Sequence, residues 1–158
     1  MRRQLIAIHL KEWEYRGTPD DLGRLMAYHF EFDSANHVLR GLLVGTITDE
    51  VLKEFYRISE KYIALTNPRS TVTDMSSVTS LEVSAQTIRE LANLPPVLAD
   101  PSRKRCIIAP TAQAFGMARM FELQGQETRP NLHVVRTQRE AWAILGVIKP
   151  KFELVQVD

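Results

Sequence analysis

An apolar run of strand length, Arg105-Cys106-Ile107-Ile108-Ala109, meets Pro110-Thr111 and turns at once into an amphipathic stretch over residues 112–124. Phe115, Ala118 and Phe121 share one stripe of that stretch, and Gly125 is placed to stop it. The unit recurs downstream, where Leu132-His133-Val134-Val135-Arg136 leads into Thr137-Gln138-Arg139-Glu140 and a short apolar helix ending at Gly146. Thr137 with Glu140 three residues on is a capping box. Strand and helix alternating in this way select an α/β sheet with helical crossovers, because a pleated face and a helical stripe need each other for cover.

The chain of 158 residues is sized for one domain, which can bury roughly 68–70% of its unfolded surface without disulfides or metal. A formal net charge of +1 gives no global reason to expect a polyanion, and no nucleic-acid partner is expected. The basic cluster Arg103-Lys104-Arg105 reads as a solvated approach to a strand rather than a phosphate grip. Cys106 is the single cysteine, so no intramolecular disulfide is available; within an apolar run it serves as a small buried hydrophobe. No segment approaches 18 consecutive apolar residues, which argues against a membrane-spanning helix. The run Leu5-Ile6-Ala7-Ile8 is cut too short by His9, Lys11 and Glu12 for a secretory leader, so the expected location is cytoplasmic.

Residues 1–22 serve a strand and a helical stripe equally well and are treated as an N-terminal extension; Gly17-Thr18-Pro19-Asp20-Asp21 ends the pattern. The domain is expected over 23–146, with a C-terminal tail over 147–158. Tyr28, Phe30 and Phe32 alternate with His29, Glu31 and Asp33 as in a half-buried strand. Asp33-Ser34-Ala35-Asn36 is turn material, and a second strand follows to Thr46. A symmetric turn would place Phe32 opposite His37, Phe30 opposite Leu39 and Tyr28 opposite Gly41. The second strand is apolar on both faces. It is therefore either interior to the fold or paired with another subunit, and it suggests a homodimer.

Thr48-Asp49-Glu50 starts a long helix with a hydroxyl cap and acids in the first turn. Its expected buried stripe is Val51, Leu52, Phe55, Ile58, Tyr62 and Leu65, and Asn67-Pro68 ends it. A short strand at about residues 71–75 gives way to a hydroxyl-rich loop over 76–84. Ser84 then caps a helix stopped by Pro95-Pro96. Phe152, Leu154 and the last valines fit one more strand or a frayed tail equally.

The enzyme templates fail. No glycine-rich phosphate loop or nucleophile elbow is present, and the one cysteine lies in a strand. His29 and Glu31 share one face of the first strand while His37 points to the other, so they do not converge on a metal. Neither a cofactor nor a metal is expected, and the chain is not expected to be an enzyme. Two features remain. Asp74-Met75-Ser76-Ser77-Val78-Thr79-Ser80-Leu81-Glu82-Val83-Ser84 is a loop where open α/β domains place their binding sites, and a modified hydroxyl there would add charge at a helix start. N-capping by Ser84 and turn hydrogen bonds are the simpler account of the same residues. The junction at Thr111 likewise offers N–H groups to an anion or an acidic partner, or serves only as a cap.

The order hairpin, helix, strand ending in Asp-x-Ser, helix, strand, helix, strand, helix resembles the SpoIIAA-like superfamily. That superfamily contains the STAS domains of anti-sigma-factor antagonists and bacterial proteins grouped with CRAL-TRIO-like lipid carriers. The resemblance runs from Leu25 to Gly146. It is best in Ile107-Ile108-Ala109-Pro110, Ala114-Phe115-Gly116-Met117-Ala118-Arg119-Met120, and Val134-Val135-Arg136 followed by Glu140-Ala141-Trp142. In antagonist STAS domains the loop reads Asp-Leu-Ser-Gly-Val-Thr and then Asp-Ser-Ser-Gly, its regulatory serine capping a helix. Asp74-Met75-Ser76-Ser77-Val78-Thr79 matches the first half. Glu82-Val83-Ser84-Ala85 keeps an acid and one serine but lacks the second serine and the glycine.

The resemblance thus implies Ser84 as the regulatory hydroxyl, with Glu82 beside it. It also implies a SpoIIAA-like α/β domain with a mixed sheet of roughly five strands and about four helices mainly on one face. The expected function is a non-enzymatic regulatory module binding a protein partner through Asp74, Ser76, Ser77, Thr79, Glu82, Ser84 and Thr111. The alternative is a carrier or sensor with an apolar cleft beneath the helix of Phe115 and Phe121, holding a small apolar or lipid-like ligand.

Overall fold

A computed structural model of the chain describes residues 27–155; the expected N-terminal extension and the end of the tail lie outside them. β1 (Tyr28–Asp33) runs antiparallel to β2 (Val38–Thr48), with Phe32 opposite Leu39, Phe30 opposite Gly41 and Tyr28 opposite Leu43. The symmetric-turn register is therefore off by two residues. The Asp33 carboxylate accepts the N–H groups of Ala35 and Asn36, both at 3.0 Å, and His37 takes a left-handed φ of 55°. These place the loop at residues 34–37. A shift of two keeps every side chain on its expected face.

α1 (Asp49–Thr66) starts at the hydroxyl of Thr48, which accepts the Val51 N–H, and ends on left-handed Asn67. Its buried stripe drifts to Ile63 at the last turn, leaving Leu65 60% exposed, contrary to expectation. The remaining elements are β3 (Ser70–Glu82), α2 (Ala85–Asn93), β4 (Arg105–Ile108), α3 (Ala112–Gln124), β5 (Leu132–Val135), α4 (Gln138–Leu145) and β6 (Glu153–Val155). Hydroxyls of Ser84, Thr111 and Thr137 cap α2, α3 and α4, each accepting a backbone N–H three residues on.

The sheet is mixed, in the order β5-β4-β3-β2-β1-β6, so the described residues hold six strands where about five were expected. β2 to β5 are parallel, and β1 is antiparallel to both of its neighbours. Steps from β2 to β5 all move one way across the sheet, and right-handed crossovers therefore put α1, α2 and α3 on one face. The step from β5 back to β6, beyond β1, reverses direction and puts α4 on the other. The first face buries Phe30, Leu43, Ile47, Phe55, Ile88 and Ala118; the second buries Val38, Val72, Cys106, Ile108 and Ala141. Each fully buried aliphatic side chain contributes about 1.5–3 kcal/mol. β2 is covered on both faces by its own chain, so its two-sided apolar pattern no longer argues for a second subunit. Residues 147–155, expected as a tail, cross the second face and end in β6, with Phe152 stacked 4.1 Å over the Arg40 guanidinium.

The expected loop over residues 76–84 is mostly strand. β3 follows β2 to Glu82 because it absorbs two bulges. Met75 and Ser76 together oppose Leu43, and Thr79 is the extra residue between Val78 and Ser80. The Asp74 carboxylate fixes the first bulge by accepting the Ser76 N–H at 2.9 Å.

Candidate functional site

β4 pairs with β3 only from Thr71 to Asp74, whereas β3 continues to Glu82 along β2. Beyond Ile108 the chain leaves the sheet for α3, and the space between the end of β3 and α3 closes over an apolar cavity of about 100 Å³. Its floor is Leu43, Thr73 and Met75 of the sheet. α1 contributes Leu52 and Phe55, α2 contributes Ile88 and Leu91, and α3 contributes Met117, Ala118 and Phe121. Two of the described lining residues carry polar side-chain groups. The Tyr56 hydroxyl donates to Pro95 O at 2.7 Å and accepts from Arg129 at 2.6 Å, so it is spent. The Thr73 hydroxyl has no hydrogen bond among the described residues and is the one polar handle the cavity offers. Of the helix beneath which a cleft was expected, Phe121 lies in the wall of this space and Phe115 does not line it.

The residues singled out from the sequence divide between two environments. Asp74 is buried on the α4 face, where its carboxylate also accepts from the Gln138 amide at 3.0 Å. Ser76 and Thr79 are exposed at the bulges, Ser77 is half-buried, and Glu82 is exposed at the strand end. Ser84 is exposed and joins two helix starts: its hydroxyl caps α2, and its N–H donates to the Asp49 carboxylate of α1 at 2.8 Å. That N–H bond is the main reason the Asp49 carboxyl sits below its usual range. Thr111 is exposed at the start of α3, and Gln113 in the same turn donates to Leu81 O at 2.9 Å, tying α3 to the end of β3. Glu82, Ser84 and Thr111 thus lie along the rim near the cavity, while Asp74 faces away from it.

Sequence reasoning missed a buried charge cluster on the α4 face. Glu31 lies opposite Arg40 in the hairpin register, and its Oε2 accepts from Arg40 Nε at 3.0 Å and from Nη2. The other Glu31 oxygen has no hydrogen-bond partner among the described residues; His29 Nε2 stands 3.6 Å away. Asp74 Oδ2 is 4.0 Å from Arg40 Nη1. Burial alone would raise the Glu31 carboxyl, but His29 and Arg40 outweigh it and hold the group below its usual range. The signal was available, since His29 and Glu31 alternate with the aromatic face and Arg40 interrupts an otherwise apolar strand. Recognising it required the true register.

No trio of His, Cys, Asp or Glu among the described residues is arranged to hold a metal, and no described helix is long and apolar enough to cross a membrane. Burial pushes the Cys106 thiol up to about 12, which leaves it unreactive. No protein-family model matches the chain, and no curated protein matches it.

Proposed function

We propose that this is a SpoIIAA-like domain acting as a non-enzymatic sensor or carrier, which takes a small apolar molecule between its sheet and α1, α2 and α3. The observation that carries the reading is the apolar cavity at the point where β4 leaves β3. An engineered cavity of about 150 Å³ lined by Leu, Ile and Phe binds benzene, whereas drug-sized ligands occupy roughly 300–1,000 Å³. A space of about 100 Å³ therefore suits a benzene-sized group or the tip of a longer molecule. Met75 and Met117 in its wall can adapt to the guest. Tyr56, the single titratable lining residue among those described, is already committed, which supports binding rather than catalysis. With methionine methyls labelled, titrating benzene should shift the Met75 and Met117 signals to saturation. Ala118→Leu, filling the space from α3, should abolish the effect with the rest of the spectrum unchanged. Methionine methyls that stay put at saturating benzene would end the reading.

A second reading, regulation of protein-partner binding through Ser84, is favoured by the contact between Ser84 and Asp49. A phosphate on the exposed hydroxyl adds about −1.5 to −2 charges beside the Asp49 carboxylate and pushes the starts of α1 and α2 apart. Both helices wall the cavity, so phosphoserine at position 84 should also weaken benzene binding several-fold. Equal affinity with and without the phosphate would remove the switch.

A further inference from the structure

Parallel strands in register begin at one edge of a sheet, so the residues that precede them become neighbours however distant they are in sequence. Val38 pairs with Ser70, and Thr71 with Arg105. His37, Arg69 and Arg103 are thereby gathered, together with Asn67, around an open recess of about 250 Å³ at the edge opposite the cavity rim. No carboxylate among the described residues lines it. His37 meets only the edge of the Phe32 ring, 6.2 Å between centroids, and makes no side-chain hydrogen bond among the described residues. The Arg69 guanidinium has no hydrogen bond or ion pair there either. Arg103 is held in place: its Nη1 donates to Asn67 Oδ1 at 3.0 Å and to Pro68 O at 2.6 Å, and its Nε lies 3.5 Å from Asp100. Because Asn67 gives its oxygen to Arg103, the amide group left to the recess is its NH₂ donor. The carboxyl end of α1 points this way and by itself disfavours an anion. Arg103 sits just beyond that end and covers the Pro68 carbonyl with its guanidinium.

We propose that this recess binds an oxyanion of the phosphate class, the terminal group of a phosphomonoester. Every described side chain lining it presents a donor: Arg69 offers a whole guanidinium fork, whose geometry matches paired phosphate oxygens, and Arg103 adds its remaining Nη2. At about 250 Å³ it falls below the size of a drug-sized pocket, so it holds the phosphate while the rest of the molecule projects into solvent. The site is independent of the apolar cavity, and either can fail without the other.

Titration with inorganic phosphate, glycerol 3-phosphate and vesicles containing phosphatidic acid, at constant ionic strength, tests it. Imidazole C–H signals of His37 and the Nε–H signal of Arg69 report occupancy. Both soluble phosphates are expected to shift these signals to saturation, and Arg69→Gln to raise the dissociation constant at least about tenfold. Arg69 is exposed and has no partner among the described residues, so the variant should fold, which the backbone spectrum verifies. Shifts that do not saturate, that persist at equal affinity in Arg69→Gln, or that chloride reproduces would overturn the site. Binding seen with vesicles alone would assign the patch to a membrane surface and equally overturn it.

Discussion

Arg129 closes the carboxyl end of α2 with its guanidinium, donating to Ala92 O and Leu94 O at 2.9 Å each and to the Tyr56 hydroxyl at 2.6 Å. Those carbonyls have no partner within the helix, and a charged donor to each contributes about 1.5–3 kcal/mol. Arg129→Ala is expected to cost about 3 kcal/mol in chemical denaturation and to loosen the α2 wall of the cavity. Arg40 acts differently, because its counterpart Glu31 is buried with it. Arg40→Met leaves that carboxylate charged without its main partner and should cost about 3–5 kcal/mol. The double variant Glu31→Leu/Arg40→Met should be less damaging than Arg40→Met alone. The pH dependence has a definite sign. A carboxyl held lower in the folded than in the unfolded chain contributes stability that is full above its unfolded value, and this is lost as the pH falls through the lowered folded value. Glu31 and Asp33 are both held down, Asp33 by N–H groups of Asn36, Lys151 and Ala35 that outweigh its burial. Stability should therefore fall below the usual carboxylate range, and Glu31→Gln should flatten part of that slope.

At the scale of elements, Gly41 shows how one position sets a packing layer. A Cβ there would lie 2.6 Å from the Phe55 ring, which is stacked 5.3 Å from Phe30, itself 4.1 Å from Tyr62. Gly41→Ala should cost about 1–3 kcal/mol, measured by thermal melting, since the stack must shift as a unit. Periodicity and caps made most elements legible: Thr48, Ser84, Thr111 and Thr137 each start the helix expected of them. The hairpin register was not legible, because a left-handed His37 is invisible to alternation. The full length of β3 was hidden by its bulges, which insert Ser76 and Thr79 and make a strand look like a hydroxyl-rich turn. This is also why the site was read only in part. Ser84 and Thr111 are visible as caps, whereas the cavity depends on β4 ending four residues into its pairing, which no local pattern announces.

Across the whole molecule, the two sheet faces have different tasks. The α1–α3 face carries the aromatic stack and the cavity. The α4 face holds the ionic cluster under Phe152, which packs on Trp142 at 5.5 Å between ring centroids. A chain ending at Lys151 should lose β6 and the cover over Arg40, and its β1 amides should exchange with solvent much faster than those of β3 and β4. Unchanged β1 protection would show that the outer strand is dispensable. Because β6 lies outside β1, the first of the described strands to be translated waits for the last of them before its free edge is sealed. Until then that edge is open to wrong pairing, so nascent chains stalled short of Val155 are the ones in which a holding chaperone should matter most.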